Sequence, residues 1–303
     1  MKKLAFFLIS IAFLLVVVDV LFGYAADIYV DKYGLRGDYR PIGYVMNETE
    51  DDILLLGSSV VINSIMPSVI EDSLEYTCYN AGANAQTLVY YHTMLNCVLQ
   101  RYTPKAIVLG LTPGEFAYDG LGRYNVLIPY YNQGYAEIDS VLESKDRYNS
   151  ILLKSNLYRY NTIWFRILLY HILNYNEGNL VKGFMPHNVP FFPPTMRHFK
   201  ADNSCITDRN LKLFTDIISV CRERGVELVV CFTPLYDRYE DVPYVVKEIR
   251  EICVDNNIHC YYDTQDSLFL EHADWFYDNL HLNKYGALEY SKMFASRLKS
   301  ILK

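Results

Sequence analysis

An unactivated serine hydroxyl is a poor nucleophile near neutral pH, so acyl transfer needs an imidazole to take its proton and a carboxylate to orient that imidazole. The chain offers such a set at its two ends. Near the front, the apolar run Ile53-Leu54-Leu55-Leu56-Gly57 leads into Ser58-Ser59, a strand-to-turn junction that would present Ser59 at a sheet edge. Near the end, Phe276-Tyr277-Asp278-Asn279-Leu280-His281-Leu282-Asn283 sets Asp278 and His281 three residues apart, just before an amphipathic helix. Here Ser59 is the nucleophile, His281 the general base and acid, and Asp278 the orienting carboxylate. Gly57 permits the tight turn, and backbone N–H groups after it are free to hold a developing oxyanion.

Other chemistries find less support. His187 and His198 lack close metal-ligand spacing, so no metal site is expected. Glu115 and Asp119 are acidic neighbours, but nothing in their spacing fixes the separation a glycosidase pair needs. There is no Walker loop and no dinucleotide-binding glycine fingerprint, and no cofactor is expected. A net charge of −7 and the absence of a basic cluster after Lys3 argue against nucleic acid.

The elements that must position these side chains alternate between short apolar runs and helical periodicity, the pattern of a parallel sheet covered on both faces. Strands are expected at Asp52 to Leu56, Thr77 to Asn80, Ala106 to Leu111, Val226 to Phe232 and His259 to Tyr262. They predict a flavodoxin-like, three-layer α/β/α fold with about five parallel strands. Leu88, Tyr91, Leu95, Val98 and Tyr102 recur at helical spacing, as do Leu211, Phe214, Ile218 and Cys221 ahead of a terminating Gly225. A last helix, about Lys284 to Leu302, lines up Ala287, Tyr290, Phe294, Leu298 and Ile301. Between about 115 and 204 the rhythm breaks. That run carries one helix (about Lys154 to Leu173), many tyrosines and a proline-rich stretch from Met185 to Pro194, and is expected to be a helical and loop insertion over the active-site edge. Its aromatics either offer a stacking surface for sugars or pack within the insertion.

Met1-Lys2-Lys3 is basic and Leu4 to Tyr24 is apolar, broken only by Asp19. Residues 1–25 are expected to be a single-pass membrane anchor, with a linker at 26–50 and the α/β domain at 51–303 on the extracytoplasmic side. A cleavable signal peptide with its site near Gly23-Tyr24-Ala25 is the alternative. Asp19 near the outer end either snorkels or meets a partner helix. The seven cysteines form no CxxC pair and mostly sit in apolar runs, which predicts buried thiols, with one bridge among Cys221, Cys231, Cys253 and Cys260 as the alternative.

From roughly Asp52 to Leu302 these blocks resemble the SGNH, or GDSL-type, hydrolases. The resemblance maps the family nucleophile onto Ser59 and its oxyanion-hole glycine onto Gly82, in Tyr79-Asn80-Ala81-Gly82-Ala83-Asn84. The final family block is Asp278-x-x-His281. Where the family often has Gly-x-Asn-Asp, this chain reads Val108-Leu109-Gly110-Leu111-Thr112-Pro113-Gly114-Glu115. The oxyanion hole would then use the Ser59 and Gly82 N–H groups, with Thr112 or Asn84 as side-chain donors. Gly-Ser-Ser in the first block, the altered third block and the N-terminal anchor look like the envelope branch, whose members acetylate exported polysaccharides or assist teichoic-acid D-alanylation. The resemblance implies an esterase or O-acyltransferase acting on acyl groups of a cell-envelope glycan beside a membrane-bound O-acyltransferase. The alternatives are a catalytically inactive SGNH-fold scaffold or glycan-binding protein with the same partner, and a lipid or thioester hydrolase with a different pocket.

Overall fold

A computed structural model describes residues 1–33, 36–117, 124–161, 163–174, 180–190, 192–200 and 205–302. The chain forms two compact units. One combines Tyr44–Arg123 with Asn179–Lys303, and the other combines Met1–Gly43 with Tyr124–Gly178.

The first unit contains β1 (Ile53–Gly57), β2 (Cys78–Asn80), β3 (Ala106–Leu111), β4 (His198–Phe199), β5 (Glu227–Phe232), β6 (Arg238–Tyr239) and β7 (His259–Tyr262). Five of them make one sheet in the order β2-β1-β3-β5-β7, with every pair parallel. The remaining two, β4 and β6, pair separately. β1 and β3 are buried along their whole length, as an unbroken apolar run in the middle of a parallel sheet must be. Numbered among themselves, the five strands run 2-1-3-4-5, the doubly wound order whose crossovers change direction between β1 and β3. All five expected strands are present with ends shifted by at most one residue. Asp52, just ahead of β1, accepts from Thr77 N through its carboxylate and pairs with Lys105 at 3.2 Å.

Ile53, Leu55, Val108, Val229 and Cys231 form one core with Ile70 of helix Pro67–Leu74 and with Tyr290, Phe294 and Leu298 of helix Lys284–Ile301. The alternate strand residues, among them Leu54, Leu56, Ile107 and Leu109, are equally buried. They are covered by helices Leu88–Leu99 and Asp208–Arg224, which also pack on each other. Gly225 closes the latter at φ +67°, a left-handed conformation that favours glycine. All seven cysteines are free, and Cys205 is the exposed one.

In the second unit one helix runs unbroken from Lys2 to Tyr33. It is long and apolar enough over Lys2–Val30 to cross a membrane. The helix continues past residue 25, as no proline or glycine interrupts the chain between Tyr24 and Gly34, and residues 40–47 of the expected linker form the helix Arg40–Asn47. The helix expected at 154–173 is two helices, Asn156–Tyr160 and Trp164–Ile172, the first opened by Ser155 Oγ accepting from Tyr158 N. Within the expected insertion of 115–204, residues 124–178 group with the N-terminal helix and 179 onward with the sheet. Tyr124, Tyr130, Tyr131 and Tyr160 are buried, so much of its aromatic content is internal packing.

Candidate active site

Gly57 and Gly110 are register partners on β1 and β3. A Cβ built on either would lie 2.2 Å from Val61 Cγ2. Their bare backbones thus make a slot for Val61, and the short helix Ser59–Ile62 beds across the carboxyl ends of the two strands. Ser58 is extended at φ −85°, ψ −160°, so the chain turns sharply and Ser59 opens the helix with its N–H lacking an intrahelical acceptor.

The Asp278 to His281 turn is built locally. Tyr277 N donates to His281 O at 2.8 Å, Phe276 bridges Leu282, and Asn283 N donates to Trp275 O at 2.9 Å. Asn283 then caps helix Lys284–Ile301 by accepting from Tyr285 N and Gly286 N. Gly286 is required, since a Cβ there would lie 2.3 Å from Trp275 O. The tip is tied down by Asn279, whose Nδ2 donates to Thr195 O and Asp237 Oδ1 at 2.9 and 2.6 Å.

These two constructions bring together residues 222 positions apart. His281 Nε2 lies 2.8 Å from Ser59 Oγ, and His281 Nδ1 lies 3.0 Å from each Asp278 oxygen. Asp278 Oδ1 also accepts from Leu280 N and His281 N. Partial burial pushes the Asp278 carboxyl up, but the His281 side chain and these two backbone donors outweigh it and hold the group below the usual carboxylate range. An ionised Asp278 fixes the proton of neutral His281 on Nδ1 and leaves Nε2 to accept from Ser59. The His281 side chain is 19% exposed, so the ring is not sealed within the core.

Ala83 N donates to Gly57 O at 3.0 Å, which lays the Gly82-Ala83 backbone against the turn that carries Ser59. The Gly82 N–H itself donates to Asn80 Oδ1 at 3.2 Å. Asn84 is exposed and Thr112 is half-buried. Glu115 is only 7% exposed. Neither of its carboxyl oxygens makes a hydrogen bond among the described residues, although the hydroxyls of Ser58, Thr112 and Tyr91 face it. Burial pushes this carboxyl up to about 8 against the lowering effect of those hydroxyls, so at neutral pH it is predominantly a neutral acid behind the Ser58-Ser59 turn.

His187 has a place here that its spacing did not disclose. Its ring stacks on Tyr277 at 4.3 Å and meets His281 edge-on at 5.7 Å. Burial and then the neighbouring His281 push its pKa down, which favours an uncharged wall beside His281. The backbone around it is pinned by Met185 N to Ile62 O (3.0 Å), Asn63 Nδ2 to Met185 O (2.8 Å) and Lys284 N to His187 O (2.8 Å). The proline-rich stretch was expected within an insertion over the active-site edge, but nothing in its composition singled out His187. His198 lies in β4, and Asp119 lies outside the described residues. Among the described residues no group of three or more His, Cys, Asp or Glu is placed to hold a metal ion.

The arrangement can pass a proton from a serine hydroxyl to an imidazole held by a carboxylate, with a backbone N–H beside the oxygen that would attack. No protein-family model and no curated protein sequence matches the chain. Among solved structures it is similar to a gut microbial diltiazem-metabolizing enzyme, at a TM-score of 0.43 and 11% identity over 82% of this chain and 47% of that one. It is also similar to an acetyl xylan esterase, at a TM-score of 0.40 and 13% identity over 83% of this chain and 99% of that one. The chain thus spans about half the length of the first and nearly all of the second.

Proposed function

We propose that the protein is a membrane-anchored, extracytoplasmic SGNH-like serine esterase or O-acyltransferase that acts on acyl groups of a cell-envelope glycan. The observation that carries this reading is the continuous chain Ser59–His281–Asp278 at the carboxyl edge of the sheet. Ser59 Oγ attacks the acyl carbonyl as His281 Nε2 takes its proton, and the negative charge passes to the carbonyl oxygen. The Ser59 N–H holds that oxygen, joined by the Gly82 N–H once it exchanges Asn80 Oδ1 for the oxyanion. Collapse breaks the ester bond as His281 returns the proton to the leaving alcohol, and the acyl group stays on Ser59. Water or a glycan hydroxyl then attacks the acyl carbonyl, losing its proton to His281, and collapse breaks the Ser59 Oγ–acyl bond as His281 returns that proton to Ser59 Oγ, which completes hydrolysis or transfer. A membrane-bound O-acyltransferase is the partner that would supply or receive the acyl group.

Incubating the full chain with a fluorophosphonate, then measuring intact mass and the labelled peptide, tests the nucleophile. An adduct confined to Ser59 and absent from Ser59→Ala and His281→Ala is expected. A folded protein that takes up no probe would favour the second reading, an inactive SGNH-fold scaffold or glycan-binding protein. The observation on its side is the engagement of the Gly82 N–H with Asn80.

A further inference from the structure

We propose that Tyr148, Ile151, Leu152 and Leu157 form a lipid-binding surface that rests in the interfacial layer of the bilayer on the side where the N-terminal helix emerges. The proposal rests on that helix being a membrane anchor. It concerns the unit built from 1–43 and 124–178 alone.

The helix Lys2–Tyr33 has two different halves. Every residue from Met1 to Val16 is exposed. From Asp19 onward the helix belongs to a fold. Asp19 Oδ1 accepts from Ser155 Oγ (2.6 Å) and Leu157 N (2.9 Å), and Oδ2 accepts from Asn156 N (3.0 Å) and Asn156 Nδ2 (3.2 Å). A Cβ on Gly23 would lie 2.3 Å from the Asn156 side chain, so the two segments are in close contact. Further along, Asp27 accepts from Tyr160 at 2.6 Å, and Tyr29 meets Trp164 and His171 edge-on at 5.4 and 5.1 Å. These contacts set an axial order, with Asn156 level with Asp19 to Gly23, and His171 level with Tyr29 to Tyr33.

The uncharged stretch free to cross a membrane, between Lys3 and Asp19, is therefore residues 4–18. At about 1.5 Å per residue it covers about 22 Å, short of a hydrocarbon core of about 30 Å. The deficit draws the segment that binds Asp19 down to the membrane boundary. That segment displays the apolar side chains to be expected there. Ile151 is 65% exposed and Leu157 40%, whereas Leu153 between them is 4% exposed and serves the unit's own core. Tyr148 and Leu152 are exposed as well. Arg147 and Lys154 flank them in the open, and the Arg147 guanidinium lies 5.3 Å from the Tyr148 ring centre. Aliphatic side chains beside a tyrosine and two cations are the composition of a surface that meets acyl chains below and phosphate headgroups above. The exposed Ile172, one residue past His171, stands at the opposite end of this axial order, about 20 Å from Asp19 at about 1.5 Å per residue.

The test places an environment-sensitive fluorophore on the full-length protein in vesicles of phosphatidylcholine and phosphatidylglycerol. Label positions are Ile151→Cys, Leu157→Cys and Ile172→Cys, each with the exposed Cys205 changed to Ser, and Tyr148→Cys replaces any variant that loses its native circular dichroism. Blue-shifted emission that is lost on adding lipids carrying a doxyl quencher is expected at 151 and 157, with water-like, unquenched emission at 172. Water-like emission at 151 and 157 in protein that resists carbonate extraction would overturn the proposal. A blue shift insensitive to lipid quenchers would mean that a protein covers the patch, and quenching at all three positions would mean non-specific adsorption. Either outcome overturns it, as would extraction of the whole protein by carbonate, which removes the anchor and leaves the Ser59 reading untouched.

Discussion

Gly57 and Gly110 face each other in register across β1 and β3, and the Val61 side chain fills the slot their missing Cβ atoms leave. This relationship fixes the depth at which the Ser59 helix sits on the strand ends. Gly110→Ala should cost about 1–3 kcal/mol through overpacking and lower fluorophosphonate labelling of Ser59. Adding Val61→Ala should restore part of both. A double mutant no better than the single one in melting temperature and labelling would show that the slot is not the constraint.

Asp278 holds His281 from both carboxylate oxygens, so Asp278→Asn should leave the fold intact and lower ester turnover by on the order of a thousandfold or more. The loss should fall on kcat with KM nearly unchanged. A near-normal kcat would assign Asp278 to the turn alone. Because its folded pKa is depressed, the carboxylate stabilises the fold at pH values above its unfolded pKa, and that contribution disappears as pH falls through the lower folded value.

Glu115 behaves in the opposite sense. Its folded pKa of about 8 lies above the ordinary value of 4.5, so the folded state binds the extra proton. Stability tied to this group is full below about pH 4.5, falls as pH rises between the two values, and levels off above about 8. Glu115→Gln keeps the shape without the charge. Urea melts at several pH values should show this variant gaining stability over the parent toward pH 8. Equal slopes for both proteins would mean that Glu115 is ionised at neutral pH after all.

Asp19 and Gly23 join the N-terminal helix to Asn156. Protein purified from membranes should therefore retain residues 1–25, readable by intact mass, because cleavage at Gly23-Tyr24-Ala25 would sever a packed helix. Asp19→Ala leaves the Asn156 and Leu157 amides without their acceptor, at a cost of about 1–3 kcal/mol. Faster limited proteolysis within 124–178 is the expected sign. A mass lacking the first residues would place the helix among cleaved signals.

Much of this protein is determined by local physics that a sequence carries on its face. Runs such as Ile53 to Leu56 and Ala106 to Leu111 read as strands because a continuous apolar run of that length, bounded by turn residues, is short for a helix and suits the middle of a buried parallel sheet. In Asp278-x-x-His281 followed by Asn283, the bonds from Leu280 N and His281 N to Asp278 and from Tyr285 N and Gly286 N to Asn283 close within three residues, so the turn and the helix cap were legible without a fold. What tertiary structure alone decided is the meeting of parts distant along the chain. Ser59 reaches His281 only because the 2-1-3-4-5 strand order brings the end of β1 to the loop before the last helix. Glu115 was legible as an acidic residue after β3, but its raised pKa comes from burial, against the Ser58, Thr112 and Tyr91 hydroxyls that lower it, and no local pattern encodes burial. His187 lies in a stretch without periodicity, and its place beside Tyr277 is held by two backbone hydrogen bonds and one from the Asn63 side chain, all made across the fold. Asp19 likewise read as a lone charge in an apolar run, while its four donors come from a turn more than a hundred residues away. Hydrophobic pattern and turn chemistry act over a few residues and can be read in order; desolvation and long-range hydrogen bonds depend on what the folded chain brings close.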